Sequence, residues 1–254
     1  MQTIGLIAAL PEEIRPFLQH LQEYEQGKLG MFPCFRFRLF DLNCLLVQSG
    51  MGLKRAVDAT HALLDDTSPQ LLVSFGIAGA LQPDLQVGDG IVATKAYLLD
   101  KGVPGSPQPL VSLSPAAFQA VSQALQLRRA NLYSGSTLTT LGSQEVLLPP
   151  GEITHPVLEM ETAGIAQVAA QHGIPLLGIR AISDTLKEPL PFRIADFTDE
   201  ELNLQVGKLI KTMIQHPHTL PRFMRFRRNV QIAAQNLAIA VVEALRQPLP
   251  VPLS

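Results

Sequence analysis

Acidic residues stand at the places in this chain where a carboxylate can do chemistry. Glu12 and Glu13 follow the first apolar run, Glu159 and Glu161 precede a helix, and Asp184 follows a later apolar run. Separated by one residue in an extended segment, Glu159 and Glu161 point the same way and Met160 points opposite. A carboxylate past the carboxyl end of a buried strand lies where open α/β sheets bind their ligands. Each acid also has a plain structural use: Glu at a helix start complements the dipole, and Asp after a strand caps a turn. Two glycine segments accompany them, Ser49-Gly50-Met51-Gly52 and Gly76-Ile77-Ala78-Gly79-Ala80. Glycine lets a ligand approach the backbone closely, and a helix starting after Gly52 offers free amide donors and a positive end.

The elements that must hold these residues are legible from periodicity. Nearly continuous apolar runs at 3–10, 71–75 and 174–182 read as strands covered on both faces. Pro11 opens a helix over 11–22, with Ile14, Phe17, Leu18 and Leu21 on one face. The alternation Phe35-Arg36-Phe37-Arg38-Leu39 is that of a half-exposed antiparallel strand, with 42–47 as its partner. Helices are expected over 53–64, 115–127 and 162–172, strands over 87–99 and 131–134, and a loop over 101–114. If the three buried strands are parallel, their acidic or glycine-rich ends share one edge of a mixed sheet. One three-layer α/β domain then spans 1–254, its mixed central sheet flanked by helices. Beyond an amphipathic helix at 199–214, residues 216–254 form a helical extension. Its helix, 221–246, carries Phe223, Phe226, Val230, Ala233, Leu237 and Val241 as a core-facing stripe. Arg222, Arg225, Arg227 and Arg228 surround its start, and a membrane-surface contact is the sharper use for them.

Bulk composition narrows the function. Of 254 residues, 46% are apolar and 17% charged, so the chain folds around a core; the net charge of −2 gives no reason to expect nucleic acid as a partner. Cys34 and Cys44 match no metal-ligand spacing and read as reduced packing residues. Met1-Gln2-Thr3 runs into a strand with no basic leader, and no apolar stretch is long enough to span a bilayer. The expectation is a cytoplasmic protein with no cofactor and no metal.

Five motifs in order resemble the nucleoside phosphorylase/nucleosidase superfamily, and most closely its methylthioadenosine/S-adenosylhomocysteine nucleosidase branch. They are Ile7-Ala8-Ala9-Leu10-Pro11-Glu12-Glu13, Ser49-Gly50-Met51-Gly52, Gly76-Ile77-Ala78-Gly79, Glu159-Met160-Glu161 and Arg180-Ala181-Ile182-Ser183-Asp184. The resemblance implies that Glu13 activates a water and that Asp184 gives a proton to N7 of a departing purine. It also implies that Glu161 takes the ribose 2′- and 3′-hydroxyls and that Met160 packs beside the sugar. Glu159, Met51, Ile77, Ala78, Gly79 and Ser183 complete the expected purine-nucleoside site. Homo-oligomerisation, as a dimer, is implied in the same way.

The chain departs from that branch at Ile77, where the nucleosidases carry serine, at Leu138, near the base, and over 96–106, which lacks their His-Asp element. Its tail, from Pro189-Leu190-Pro191 to Leu245, resembles a hopanoid-biosynthesis branch whose members act on an adenosyl lipid. The 5′ substituent of the substrate is therefore left open.

Cleaving an N-glycosidic bond passes through an oxocarbenium-like state, which two carboxyl groups in opposite protonation states can serve. The nucleophile decides between hydrolysis and phosphorolysis. Where phosphorylases place an arginine-containing glycine loop, this chain has Pro11-Glu12-Glu13. Two acids ~4–6 Å away would oppose an anion by about 1 kcal/mol or more each. Lys54 and Arg55, at the next helix start, are expected to face solvent. Hydrolysis is the expectation, phosphorolysis the alternative, and a non-catalytic nucleoside-binding protein the second alternative.

Overall fold

A computed structural model of the chain describes residues 1–100, 102–135, 155–188 and 220–248. The expectations for Leu138 and for the helix at 199–214 lie outside them. The strands are β1 (Gln2–Ala8), β2 (Glu25–Leu29), β3 (Phe32–Leu39), β4 (Leu42–Gln48), β5 (Leu71–Ala80), β6 (Gly90–Asp100), β7 (Val103–Pro109), β8 (Leu127–Gly135), β9 (Pro156–Glu159) and β10 (Leu176–Asp184). The helices are α1 (Pro11–Leu18), α2 (Leu53–Asp66), α3 (Pro115–Ala124), α4 (Thr162–Gln171) and α5 (Leu220–Arg246).

As the apolar runs require, β1 pairs in parallel with β4 and β5, and β10 pairs in parallel with β5. Their carboxyl ends therefore lie on one rim. The mixed sheet also does something the sequence did not suggest. From β5 the pairing runs through β10, β6, β8 and β9 and back to β5, closing a small barrel. Small side chains such as Ala78, Ala80, Ala93 and Ala130 make the closure possible, packed around Ile91, Leu132, Val157 and Ile182. The flat part, β1-β4-β3-β2, extends outward from β5.

Three expectations are corrected. The run at 71–75 does not stop at Phe75. Both neighbours of β5 supply ladder partners, β10 alongside Gly76 to Gly79 and β9 at Gly79 and Ala80, so the glycine segment is strand rather than loop. The expected loop at 101–114 contains β7, a proline-bearing edge strand antiparallel to β6; prolines are tolerated there because an edge leaves N–H positions free. The first helix ends at Leu18 rather than 22, and the next turns, at His20 and Leu21, close on residues three back.

Helices cover both faces of the sheet. Phe17 of α1 is fully buried and sits 5.6 Å, ring to ring, from both Phe37 and Phe75. Burying such a ring contributes about 1.5–3 kcal/mol and pins α1 over β3 and β5. Glu13, four residues earlier on the same helix face, is thereby fixed at the strand ends. On the other face α2 and α4 pack together around Ala56, Ala59, Leu63 and Ile165. The stripe on α5 is buried at Ala233, Leu237 and Val241 and half-exposed at Phe223, Phe226 and Val230, so the first turns project beyond the core. Cys34 and Cys44 are buried free thiols. Among the described residues no helix is long and apolar enough to cross a membrane.

Candidate active site

Glu13 is buried, and its carboxylate is held by backbone donors from two elements. Oε2 accepts the amides of Ala9 (3.0 Å) and Leu10 (2.8 Å), and Oε1 accepts the amide of Ile77 on β5 (2.9 Å). Gly76 makes room for this: a Cβ there would lie 2.8 Å from Oε1. Burial pushes the Glu13 pKa upward, against the lowering effect of the three amides and of the Arg180 charge.

Glu161 stands at the start of α4, and its Oε1 accepts the amide of Gly52 at 2.8 Å. Gly52 adopts φ +99°, a conformation that glycine reaches without strain, and this aims its N–H at the carboxylate. Burial first, then the nearby negative charge of Glu159, pushes the Glu161 pKa up to about 8. Glu13 and Glu161 share a cavity of about 10 Å³, whose wall includes Ser49, Ser74, Gly76 and Arg180. That is the space of one water molecule.

Arg180 is the functional residue that sequence reasoning missed, although a charge inside an otherwise apolar strand was a signal that a counter-charge must be buried nearby. It is 2% exposed. Its Nη2 donates to Glu159 Oε2 (2.9 Å) and Ser74 Oγ (2.8 Å), and its Nη1 to the carbonyls of Ser74 and Ile179. The Nε–H finds no partner among the described residues.

This pair corrects the expectation for Glu159. Its carboxylate also accepts from Thr162 and from the Ser134 hydroxyl. Burial would raise its pKa, but the Arg180 charge and these hydrogen bonds outweigh that and hold it low. Glu159 is therefore a structural anion behind the site rather than a substrate contact. Met160 is also buried, at 3% exposure, outside the cavity wall.

Asp184 ends β10 on the same rim, against Gly79, where a Cβ would lie 2.6 Å from Oδ2. Gly76 and Gly79 are three residues apart on β5, which sets the two backbone positions about 10 Å apart along the strand. Asp184 lies outside the wall of the small cavity. Ser183 Oγ donates to Asp184 Oδ1 at 2.7 Å and so orients the acid. Burial pushes the Asp184 pKa upward, against that hydrogen bond. Ile77 and Ala78 bridge the two acids along β5. Met51 is half-buried in the wall of a neighbouring pocket. Among the described residues no group of three or more His, Cys, Asp or Glu is placed to hold a metal ion. A cleft of about 960 Å³ lies at the amino ends of β1 and β4, away from all these acids.

Comparison with known proteins identifies the family. Residues 3–215 match the family model described as the Phosphorylase superfamily. A 5'-methylthioadenosine/S-adenosylhomocysteine nucleosidase of Oceanobacillus iheyensis is 30% identical over 201 residues, covering 72% of this chain and 86% of the relative. The nucleosidase of the same name from a Marinomonas species is 26% identical over 235 residues, with 83% and 99% covered. Among solved structures, a futalosine hydrolase mutant of Helicobacter pylori has a TM-score of 0.69 at 19% identity, covering 97% of this chain and 99% of that one. The Neisseria meningitidis 5'-methylthioadenosine/S-adenosylhomocysteine nucleosidase in complex with methylthio-immucillin-A has a TM-score of 0.67, also at 19% identity and with 97% and 99% covered. At those identities the structural likeness is one of fold. The family assignment rests on the sequence: this chain belongs to the Phosphorylase superfamily.

Proposed function

We propose that this protein is a nucleosidase that cleaves the N-glycosidic bond of an adenine nucleoside with water as the nucleophile. A water between Glu13 and Glu161 gives its proton to Glu13 as its oxygen bonds to the anomeric carbon of the sugar. The bond from that carbon to the purine breaks, and its electron pair is neutralised when Asp184 protonates the base. Glu161 receives the ribose hydroxyls. A raised pKa favours the donor role, and burial pushes that of Asp184 upward.

One observation carries the choice of water. The cavity between the two carboxyl groups is about 10 Å³, and the one cation in its described wall, Arg180, has its Nη2 paired with Glu159. A phosphate bearing about −1.5 to −2 charges needs more space and free cationic or amide donors. The names of the sequence relatives support an adenosine thioether as substrate. The test is adenine release from 5′-methylthioadenosine in phosphate-free buffer. Turnover is expected; binding without turnover of any purine nucleoside would replace this reading with a nucleoside-binding protein.

A homodimer belongs to the same reading, and light scattering should give about twice the chain mass of 27.6 kDa. At the projecting start of α5, Arg222, Arg225, Arg227 and Arg228 are all exposed beside exposed Leu220 and Met224, with no acid in the first turn. Cations there oppose the helix dipole, and an anionic membrane surface would offset this. Sedimentation with phosphatidylglycerol vesicles, absent with phosphatidylcholine and lost when the four arginines become glutamine, is the expected outcome. Equal behaviour on both lipids would refute the contact.

A further inference from the structure

We infer that Asn229 and Asn236 of α5 are positioning residues for the proton donor, two side-chain amides that tie down the chain on either side of Asp184. The inference rests on the nucleosidase reading and adds to it two residues of a helix remote from the sugar cavity. The strand ladder alone leaves the aim of Asp184 open. β6 parts from β10 at the pair Ala181–Gly90. β10 then slips out of register with β5: two residues, Ser183 and Asp184, follow Ile182 where β5 advances by one, from Ala78 to Gly79. A bulge of this kind re-aims a side chain and disrupts the pairing that would hold it. Asp184 therefore needs support from outside the sheet.

Ahead of the bulge, Ile182 is held by the turn that precedes β6. Its amide donates to the Asp89 carbonyl (3.0 Å) and its carbonyl accepts the Gly88 amide (2.8 Å). Asn236 Nδ2 donates to the carbonyl of Gly88 at 2.7 Å and so fastens that turn to α5. Beyond Asp184, Thr185 and Glu188 exchange backbone hydrogen bonds of 3.1 Å each, and the Glu188 amide also reaches Thr185 Oγ1 (3.2 Å). Asn229 Nδ2 donates to Glu188 Oε2 at 2.6 Å and fastens this second turn to the same helix. Seven residues, two helical turns, separate the asparagines, so both amides leave one face of α5 about 10.5 Å apart. That face is otherwise apolar. Asn229 is the one polar side chain buried on α5, Asn236 is half-buried, and Ala233, Leu237 and Val241 are buried beside them. Burying an amide carries a desolvation cost that alanine or leucine avoids, and its hydrogen bond is what offsets it. α5 thus departs from apolar packing where it meets the two segments that flank the donor.

A misplaced donor slows the loss of a leaving group that needs its proton and spares one that does not. The experiment therefore compares 5′-methylthioadenosine with the 4-nitrophenyl glycoside of the same sugar, whose phenolate departs without a proton. Asn229→Ala and Asn236→Ala remove the amides without straining the helix. Each should lower kcat for the nucleoside about 10- to 100-fold with KM little changed, the effect of moving a catalytic group by up to about 1 Å. Each should leave kcat for the glycoside within about 2-fold of wild type, since the donor has no part in that step. Glu188→Ala removes the Asn229 bond from its partly exposed end and serves where Asn229→Ala fails to fold. Read on the nucleoside alone, the double variant should lose no more than either single one, because both delete one hydrogen bond. Unchanged kcat for the nucleoside, equal losses on both substrates, or additive losses in the double variant would overturn the inference. Wild type that cleaves neither substrate refutes the nucleosidase reading. Faster amide hydrogen exchange at Thr185 and Glu188 in Asn229→Ala would then leave the tie on Asp184 standing, and unchanged exchange would overturn that as well.

Discussion

Glu159 and Glu161 lie two residues apart, the first buried and the second half-buried, and the fold makes opposite uses of them. Glu159 turns inward to Arg180, Thr162 and Ser134, which keep it ionised. Glu161 turns to the rim, accepts the Gly52 amide, and forms no ion pair with a described residue beside a water-sized cavity. Its pKa is raised to about 8 because burial and the charge of Glu159 act together on it. The fully compensated acid builds the scaffold, and the incompletely compensated one is available to a ligand. Glu13 and Asp184 belong with the second kind, since both are buried and raised and neither forms an ion pair with a described residue.

Replacing acids of the two kinds should therefore break different properties. The largest effect is expected from Glu13→Gln and Asp184→Asn, each of which should lower kcat by about 10²- to 10⁴-fold with nucleoside affinity retained. Steady-state adenine release alongside calorimetric binding checks this. Loss of binding in step with kcat would assign the two acids to the scaffold instead.

Glu159→Gln should act mainly on stability. It leaves the Arg180 charge buried without its counter-ion, a defect that costs about 3–5 kcal/mol. For a chain of this size Tm should fall by roughly 6–20 °C. A calorimetric Tm within about 2 °C of wild type would show that the pair is not the anchor described.

Glu161→Gln should change stability with the opposite sign, and most at alkaline pH. The folded carboxyl titrates near pH 8 and the unfolded one near 4.5, so the native state holds the proton more tightly. Stability present below pH 4.5 is lost as pH rises through about 8. The neutral amide escapes that loss. Its Tm should match wild type near pH 4 and exceed it at pH 8.5, while KM for nucleoside rises. A variant less stable than wild type at pH 8.5 would contradict the raised pKa.

The same contrast explains what could be read from the sequence. The buried strands were legible because each is a nearly continuous apolar run, and the site acids were legible because they follow those runs at the carboxyl ends. Strand closure through β9 and β8 was not, since it depends on pairings between segments far apart in the chain. Strand β2 is almost wholly exposed and β7 is rich in proline, so neither carries a hydrophobic pattern. The role of Glu159 was hidden because its partner lies 21 residues away and the spacing Glu-x-Glu cannot say which acid turns inward. Arg55, expected to face solvent, is half-buried with its side chain over Gly50, a packing contact that helix periodicity does not reveal.

The most direct test of water activation between Glu13 and Glu161 is the identity of the sugar product, followed by phosphorus and carbon NMR during cleavage of 5′-methylthioadenosine in phosphate buffer. Free methylthioribose, formed at a rate independent of phosphate concentration, is the predicted result. Methylthioribose 1-phosphate, with adenine release that stops when phosphate is removed, would contradict it.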